Sequence, residues 1–112
     1  MAKRRDWTAA RAKVETEGVC RVCGIGGRLE AAHVIPRSIN PTEANMDPAG
    51  IVPLCPNHHR LYDSHDLSLL EHMTVEEQAR AVIMASGLES ARHIITGRRV
   101  TGYQLSQSGW QK

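Results

Sequence analysis

The apolar positions along the chain come in short runs whose period changes. Trp7, Ala10 and Val14 recur at helical spacing behind Asp6, a residue suited to an N-cap, and Gly18 closes the pattern. A helix is predicted over 7–17. Residues 28–35 are short, apolar and β-like, and Pro36 ends them. Ile51-Val52-Pro53-Leu54 reads as a second strand, which Pro53 pushes toward a sheet edge because it has no N–H to give a ladder. Between the two, residues 37–50 have loop composition, with Ser38, Asn40, Pro41, Asn45, Asp47, Pro48 and Gly50. The strands should therefore form a hairpin with a long connection. Cys55-Pro56-Asn57 opens a helix that continues through Asp63, with Pro56 in the first turn, where its missing N–H leaves no bond unmade.

The C-terminal third is helical. Thr74-Val75-Glu76-Glu77 is a capping-box pattern, and Ala79, Val82, Ile83 and Ser86 mark the stripe expected to be buried before Gly87 stops the helix. Leu88, Ala91, Ile94 and Ile95 predict a second short helix to about Thr96, ahead of Gly97. Residues 98–112 show no periodicity and are expected to be a flexible basic tail. The order of elements is that of an α+β fold. It divides into an N-terminal helix (1–18), a core (19–66), a helical extension (67–97) and the tail (98–112), all within one domain.

Composition adds a constraint. In 112 residues, 41% hydrophobic, there is no Phe and only two Trp and two Tyr, so the core is thin and a structural metal is a natural staple. The longest apolar run, residues 81–85, is far too short to span a membrane. The opening MAKRRDW lacks the apolar stretch of a secretory signal, which makes a cytoplasmic location the expectation. The net charge of +2 is mild but uneven. Lys3, Arg4, Arg5, Arg11 and Lys13 crowd the start, and Arg92, Arg98, Arg99 and Lys112 the end, around an acidic stretch between 63 and 89. Basic ends suit contacts to a phosphate backbone, and solvated termini explain them equally well.

Cys20, Cys23 and Cys55 are an odd set, which argues against a disulfide framework in a reducing compartment. Cys20-x2-Cys23 and Cys55-x2-His58 instead form two ligand pairs of the kind one turn can deliver to one ion. Together they match a tetrahedral Cys3His zinc site, and folding would be coupled to the metal. A redox CxxC or a chance pair of buried thiols is the competing reading. Adjacent helical residues point about 100° apart, so His58 and His59 cannot both face the zinc, and the spacing favours His58.

His33, at the end of the first strand, and His59, on the helix, are left over. Asp63 lies one turn beyond His59, on the same face. Such parts would suit metal-assisted phosphodiester hydrolysis, with an imidazole deprotonating water beside a divalent ion. Singly, each histidine is more often a packed or surface residue.

Ala32-His33-Val34-Ile35-Pro36-Arg37-Ser38, followed by Ile51-Val52-Pro53-Leu54-Cys55-Pro56-Asn57-His58-His59, resembles the HNH endonuclease family in its zinc-knuckle variant. The continuation through Tyr62-Asp63, Asp66-Leu67-Ser68-Leu69-Leu70 and Thr74-Val75-Glu76-Glu77-Gln78 is similar to small HNH proteins of bacteriophages and prophages. The resemblance implies a ββα-metal, treble-clef-like core. It implies His33 as general base, and His59 with Asp63 holding a catalytic Mg2+, Mn2+ or similar ion. Cys20, Cys23, Cys55 and His58 would hold structural zinc. The activity implied is cutting or nicking of DNA, with Arg37 and Arg60 as candidate phosphate contacts and the phage packaging terminase as a candidate partner. Two positions depart from the family pattern. Ala32 stands where a ligand often precedes the base, and Gly50 falls where the bracing Asn is expected, with Asn45 the nearest amide but out of spacing. These departures motivate the alternative of a catalytically inactive zinc-containing nucleic-acid-binding module. A protein-interaction module using the helices after Thr74 is a third reading.

Overall fold

A computed structural model describes residues 7–97. The predicted tail and the basic residues Lys3, Arg4, Arg5, Arg98, Arg99 and Lys112 lie outside that range. Helix α1 (Thr8–Glu17) begins one residue later than its pattern suggested, with Trp7 at the N-cap and no side-chain capping bond. Gly18, at φ 70°, closes it by donating its N–H to the Val14 carbonyl.

Strands β1 (Glu30–His33) and β2 (Ile51–Leu54) form the expected antiparallel hairpin, pairing Glu30 with Leu54, Ala31 with Pro53, Ala32 with Val52 and His33 with Ile51. The carbonyl of Pro53 accepts from the Arg21 N–H at 2.9 Å, away from β1. Pro53 thus occupies a position whose N–H the hairpin ladder does not use, which is why a proline is tolerated there. The long connection is not loose. It holds two 3-10 turns, Glu43–Met46 and Pro48–Gly50, and the fully buried Asn45 ties it together. The Asn45 amide nitrogen donates to the carbonyls of Ile35 and Asn40, both at 2.9 Å.

Helix α2 (Pro56–Asp63) starts directly after β2, with Pro56 in its first turn as predicted. Successive side chains of a strand point to opposite faces. One face of the hairpin carries Ala32, Val52 and Leu54 into the main core, where they join Val34, Tyr62, Leu69 and Ile95. The buried Tyr62 hydroxyl donates to the Val34 carbonyl at 2.6 Å, and burial, with Asp63 adding, pushes its phenol well above the usual range. The other face, with Ala31 and His33, turns toward α1.

Helices α3 (Val75–Met84) and α4 (Leu88–Thr96) cover the core. The capping box forms: Thr74 Oγ1 accepts from the Glu77 N–H at 3.1 Å, and Glu77 Oε1 accepts from the Thr74 N–H at 2.8 Å. The buried stripe of α3 is Glu77, Ala81 and Met84, and of the predicted face only Val82 packs against the core; Ala79, Ile83 and Ser86 are exposed, Ile83 at 65%. The rotation follows from Glu77, which is drawn inward by two cations. Lys13 Nζ reaches its Oε2 at 2.7 Å and Arg21 Nη1 its Oε1 at 2.6 Å. Gly97 ends α4 at φ 80°, so close to the chain after α2 that a Cβ there would sit 2.7 Å from the His65 carbonyl oxygen. Arg92, grouped by the sequence with a basic end, is only 2% exposed on α4. No helix among the described residues is long and apolar enough to cross a membrane.

Candidate metal centre

The turn between α1 and β1 is built to present sulfur. The N–H of Cys20 donates to the Ile25 carbonyl at 2.8 Å and the N–H of Gly24 to the Cys20 carbonyl at 2.9 Å, and Gly24 takes φ 75° to close the turn. Across the hairpin, Cys55 is the N-cap of α2 and His58 lies in its first turn. One donor atom from each of Cys20, Cys23, Cys55 and His58 lies within 4.8 Å of the other three. Cys55 Sγ is 3.2 Å and Cys20 Sγ 3.8 Å from His58 Nδ1, and Cys23 Sγ is 4.0 Å from Cys55 Sγ. A tetrahedral zinc ion bound by sulfur and nitrogen has donor–donor edges of about 3.6–3.8 Å. The observed separations bracket that value, and all three cysteines are free thiols. The donor set fits zinc.

The electrostatics fit it too. Burial alone would raise the Cys20 thiol. The backbone N–H groups of Cys23, Cys55 and Val22 and the Cys23 thiol outweigh that and bring it down to about 6. A thiolate is the form that ligates metal. At Cys23 the Ile25 backbone N–H pulls downward, but desolvation and the neighbouring Cys20 and Cys55 sulfurs win and push the thiol up. Crowded thiols that resist losing a second proton are relieved by a divalent cation.

Residues 20–70 match the HNH endonuclease family. The matched region runs from the first cysteine through the hairpin and α2, and with the Cys3His cluster it is consistent with the HNH superfamily. No curated protein and no solved structure matches the chain. The ββα-metal pattern anticipated from the sequence is present in general form: an antiparallel hairpin, a following helix, and a cluster suited to structural zinc.

The catalytic half of the HNH expectation does not survive the geometry. His33 was expected to face His59 across a cleft. Instead, Glu30 Oε1 meets His59 Nδ1 at 2.7 Å, which places α2 over the face of β1 that carries Glu30 and Ala32. His33, three residues after Glu30, projects to the other face. Its ring packs edge-on against the Trp7 indole, with centroids 5.3 Å apart at 64°, and both ring nitrogens are closed off from solvent. An imidazole so placed is not positioned to take a proton from water beside a metal on α2.

The expected catalytic ion lacks a convergent site as well. His59 turns one nitrogen to Glu30 and the other to Asp63, whose Oδ2 is 3.5 Å from Nε2. The two carboxylates stand on opposite edges of one ring, so the three donors do not meet at a point. Among the described residues, the Cys3His group is the one set of three or more such donors gathered closely enough for a metal. The reading of His33 and His59 as catalytic residues of a metal-dependent endonuclease is therefore corrected: the HNH-like core holds a Cys3His centre in place of a His–Asn–His reaction centre. Arg37 and Arg60 are exposed, as candidate phosphate contacts must be.

Two features escaped the sequence reading. Glu30 was not singled out, although its odd separation from His33 within one strand puts the two on opposite faces. Arg21, between the zinc-type cysteines, ties the knuckle to α1 and α3. It donates to both Glu17 and Glu77, and also to the His72 carbonyl at 3.0 Å.

Proposed function

We propose that this chain is a zinc-stapled nucleic-acid-binding module that does not cleave its ligand. The observation that carries the reading is the division of labour among the histidines. His58 joins three cysteines in a metal-type cluster, while His33 is packed on Trp7 and His59 is spanned between two carboxylates. Zinc, when bound, supplies a rigid cross-link and no open coordination position, because all four positions are filled from the chain. Its work is to hold the hairpin and α2 in fixed relation. Nucleic acid as the ligand class is supported by the HNH match and by the exposed guanidinium groups of Arg28, Arg37 and Arg60 around the core. The crowding of basic residues at the start of the sequence adds to that.

The zinc-loaded chain should bind DNA in a fluorescence-anisotropy titration, with affinity falling as salt rises; a log–log slope of about −3 corresponds to three or four phosphate contacts. Supercoiled plasmid should stay uncut with Mg2+ or Mn2+. Absence of salt-dependent binding would remove the nucleic-acid part of the reading. Nicking that disappears in His33→Ala would remove the non-catalytic part.

A further inference from the structure

A second site lies on the other face of the hairpin, away from the zinc-type cluster. We propose that the cleft between α1 and the outer edge of β1 binds one unstacked base of a single-stranded nucleic acid. The inference rests on the nucleic-acid reading above and narrows it to a place and a form of ligand.

The cleft has a volume of about 440 Å³, within the range of small-ligand sites. Its α1 wall presents Trp7, Arg11 and Glu15, three residues spaced along one helical face, and its β1 wall presents Glu30 and Ala31. Each offers what an unpaired nucleotide needs. The Trp7 indole is half-buried and held by its edge contact with His33, so a stacking surface is already oriented before any ligand arrives. Arg11, one turn along, is exposed and makes no side-chain hydrogen bond or ion pair with a described residue, which leaves its guanidinium for the attached phosphate. Ala31 is paired with Pro53, whose carbonyl is turned to Arg21, so the N–H and C=O of Ala31 point away from β2. They find no hydrogen-bond partner among the described residues. An open backbone donor and acceptor beside a stacking ring is a means of reading the edge of a base.

Two acceptors decide which bases fit. The Ala31 carbonyl is open on the β1 wall and the Glu15 carboxylate is exposed on the α1 wall, while His59 holds the Glu30 carboxylate on the opposite face of the strand. Acceptors on both rims favour bases with an amino group over thymine. A duplex hides those edges in pairing.

The test uses the full zinc-loaded chain carrying Trp110→Phe, which leaves Trp7 as its one indole. Its fluorescence is followed while single-stranded oligodeoxycytidylate, oligothymidylate and a duplex of equal length are added in turn. The expected result is quenching by the single strands, with cytidylate bound more tightly than thymidylate and the duplex least. Followed by the anisotropy of a labelled oligodeoxycytidylate, binding should weaken about tenfold or more in Trp7→Ala, and the stacking contribution should be recovered in Trp7→Phe. Arg11→Glu, on the solvent side of α1, should weaken binding comparably with zinc content unchanged, and it decides the matter where Trp7→Ala fails to fold. Single-strand binding that leaves Trp7 fluorescence and the Arg11→Glu affinity untouched overturns the cleft and spares the nucleic-acid reading. A duplex that quenches as strongly as the single strands overturns the unstacked base. Quenching by unstructured peptides but not by oligonucleotides assigns the cleft to protein. No binding of any nucleic acid overturns both proposals.

Discussion

Glu77 is 4% exposed and lies under three elements at once, so its carboxylate is a sensitive place to perturb. Lys13 Nζ donates to its Oε2 at 2.7 Å and spends its remaining protons on the carbonyls of Pro48 at 2.7 Å and Ile51 at 2.6 Å. Arg21 donates from Nη1 at 2.6 Å and Nη2 at 3.0 Å. Burial would raise the Glu77 carboxyl, but the bonds from Arg21, Lys13 and the Thr74 N–H hold it down at about 2, against an ordinary 4.5. Each tenfold change in proton affinity is about 1.4 kcal/mol, so the ionised form is favoured in the fold by about 3 kcal/mol. Glu77→Gln keeps the volume and, through its amide oxygen, the capping-box acceptor, while it removes the charge and puts an NH2 where Lys13 and Arg21 need an acceptor. Its expected cost is about 3 kcal/mol, in line with breaking a buried pair. Urea unfolding followed by circular dichroism, at saturating zinc for both proteins, measures it. The pH dependence provides an internal check. A depressed carboxyl contributes fully above its unfolded value, so the difference between wild type and variant should be constant well above pH 4.5 and shrink as pH falls from 4.5 toward about 2. A difference under about 1 kcal/mol at neutral pH, or one that does not shrink in acid, would refute the account of the carboxylate as a charged tie.

Two further outcomes follow from the same structure. Cys55→Ser should abolish stoichiometric zinc by elemental analysis and leave a chain that unfolds at far lower urea, since structural zinc in small domains contributes on the order of 10 kcal/mol of folding free energy; an unchanged midpoint would show that the cluster is not a staple. Asn45→Ala strips the Ile35 and Asn40 carbonyls of their shared donor inside the connecting loop. It should cost about 2–3 kcal/mol in the same unfolding assay and raise amide exchange in residues 36–46, whereas a neutral result would mean that the 3-10 turns hold the loop unaided.

How far the sequence could be read depended on whether chemistry or packing set each position. The four zinc-type ligands were legible because thiolate and imidazole at x2 spacing constrain one another locally, and the choice of His58 over His59 followed from helical geometry. The hairpin, the start of α2 at Pro56 and the capping box at Thr74 were legible for the same local reason. The faces were not. On α3, two stripes compete, and the one with the bulky Ile83 looks more apolar. Burial went to the stripe with Glu77, because Lys13 and Arg21 arrive from distant parts of the chain and no local pattern announces them. The histidine pair was misplaced by the same kind of gap: a strand of alternating faces makes a one-residue difference decisive. His33 and its neighbour Ala32 look in opposite directions, and it is Ala32 that enters the main core. Asn45 shows the converse, an amide that braces the segment after β1 without standing at the spacing the HNH pattern leads one to expect.

The cluster draws two of its ligands from the turn before β1 and two from the start of α2, with the whole hairpin in between. On the ribosome, the first half of the chain therefore carries only half a coordination shell, and β1 has no strand to pair with. Both deficits end together when α2 emerges. If zinc is the staple, maturation is gated by one late event in synthesis, and a chain that meets no zinc at that moment stays open to proteases.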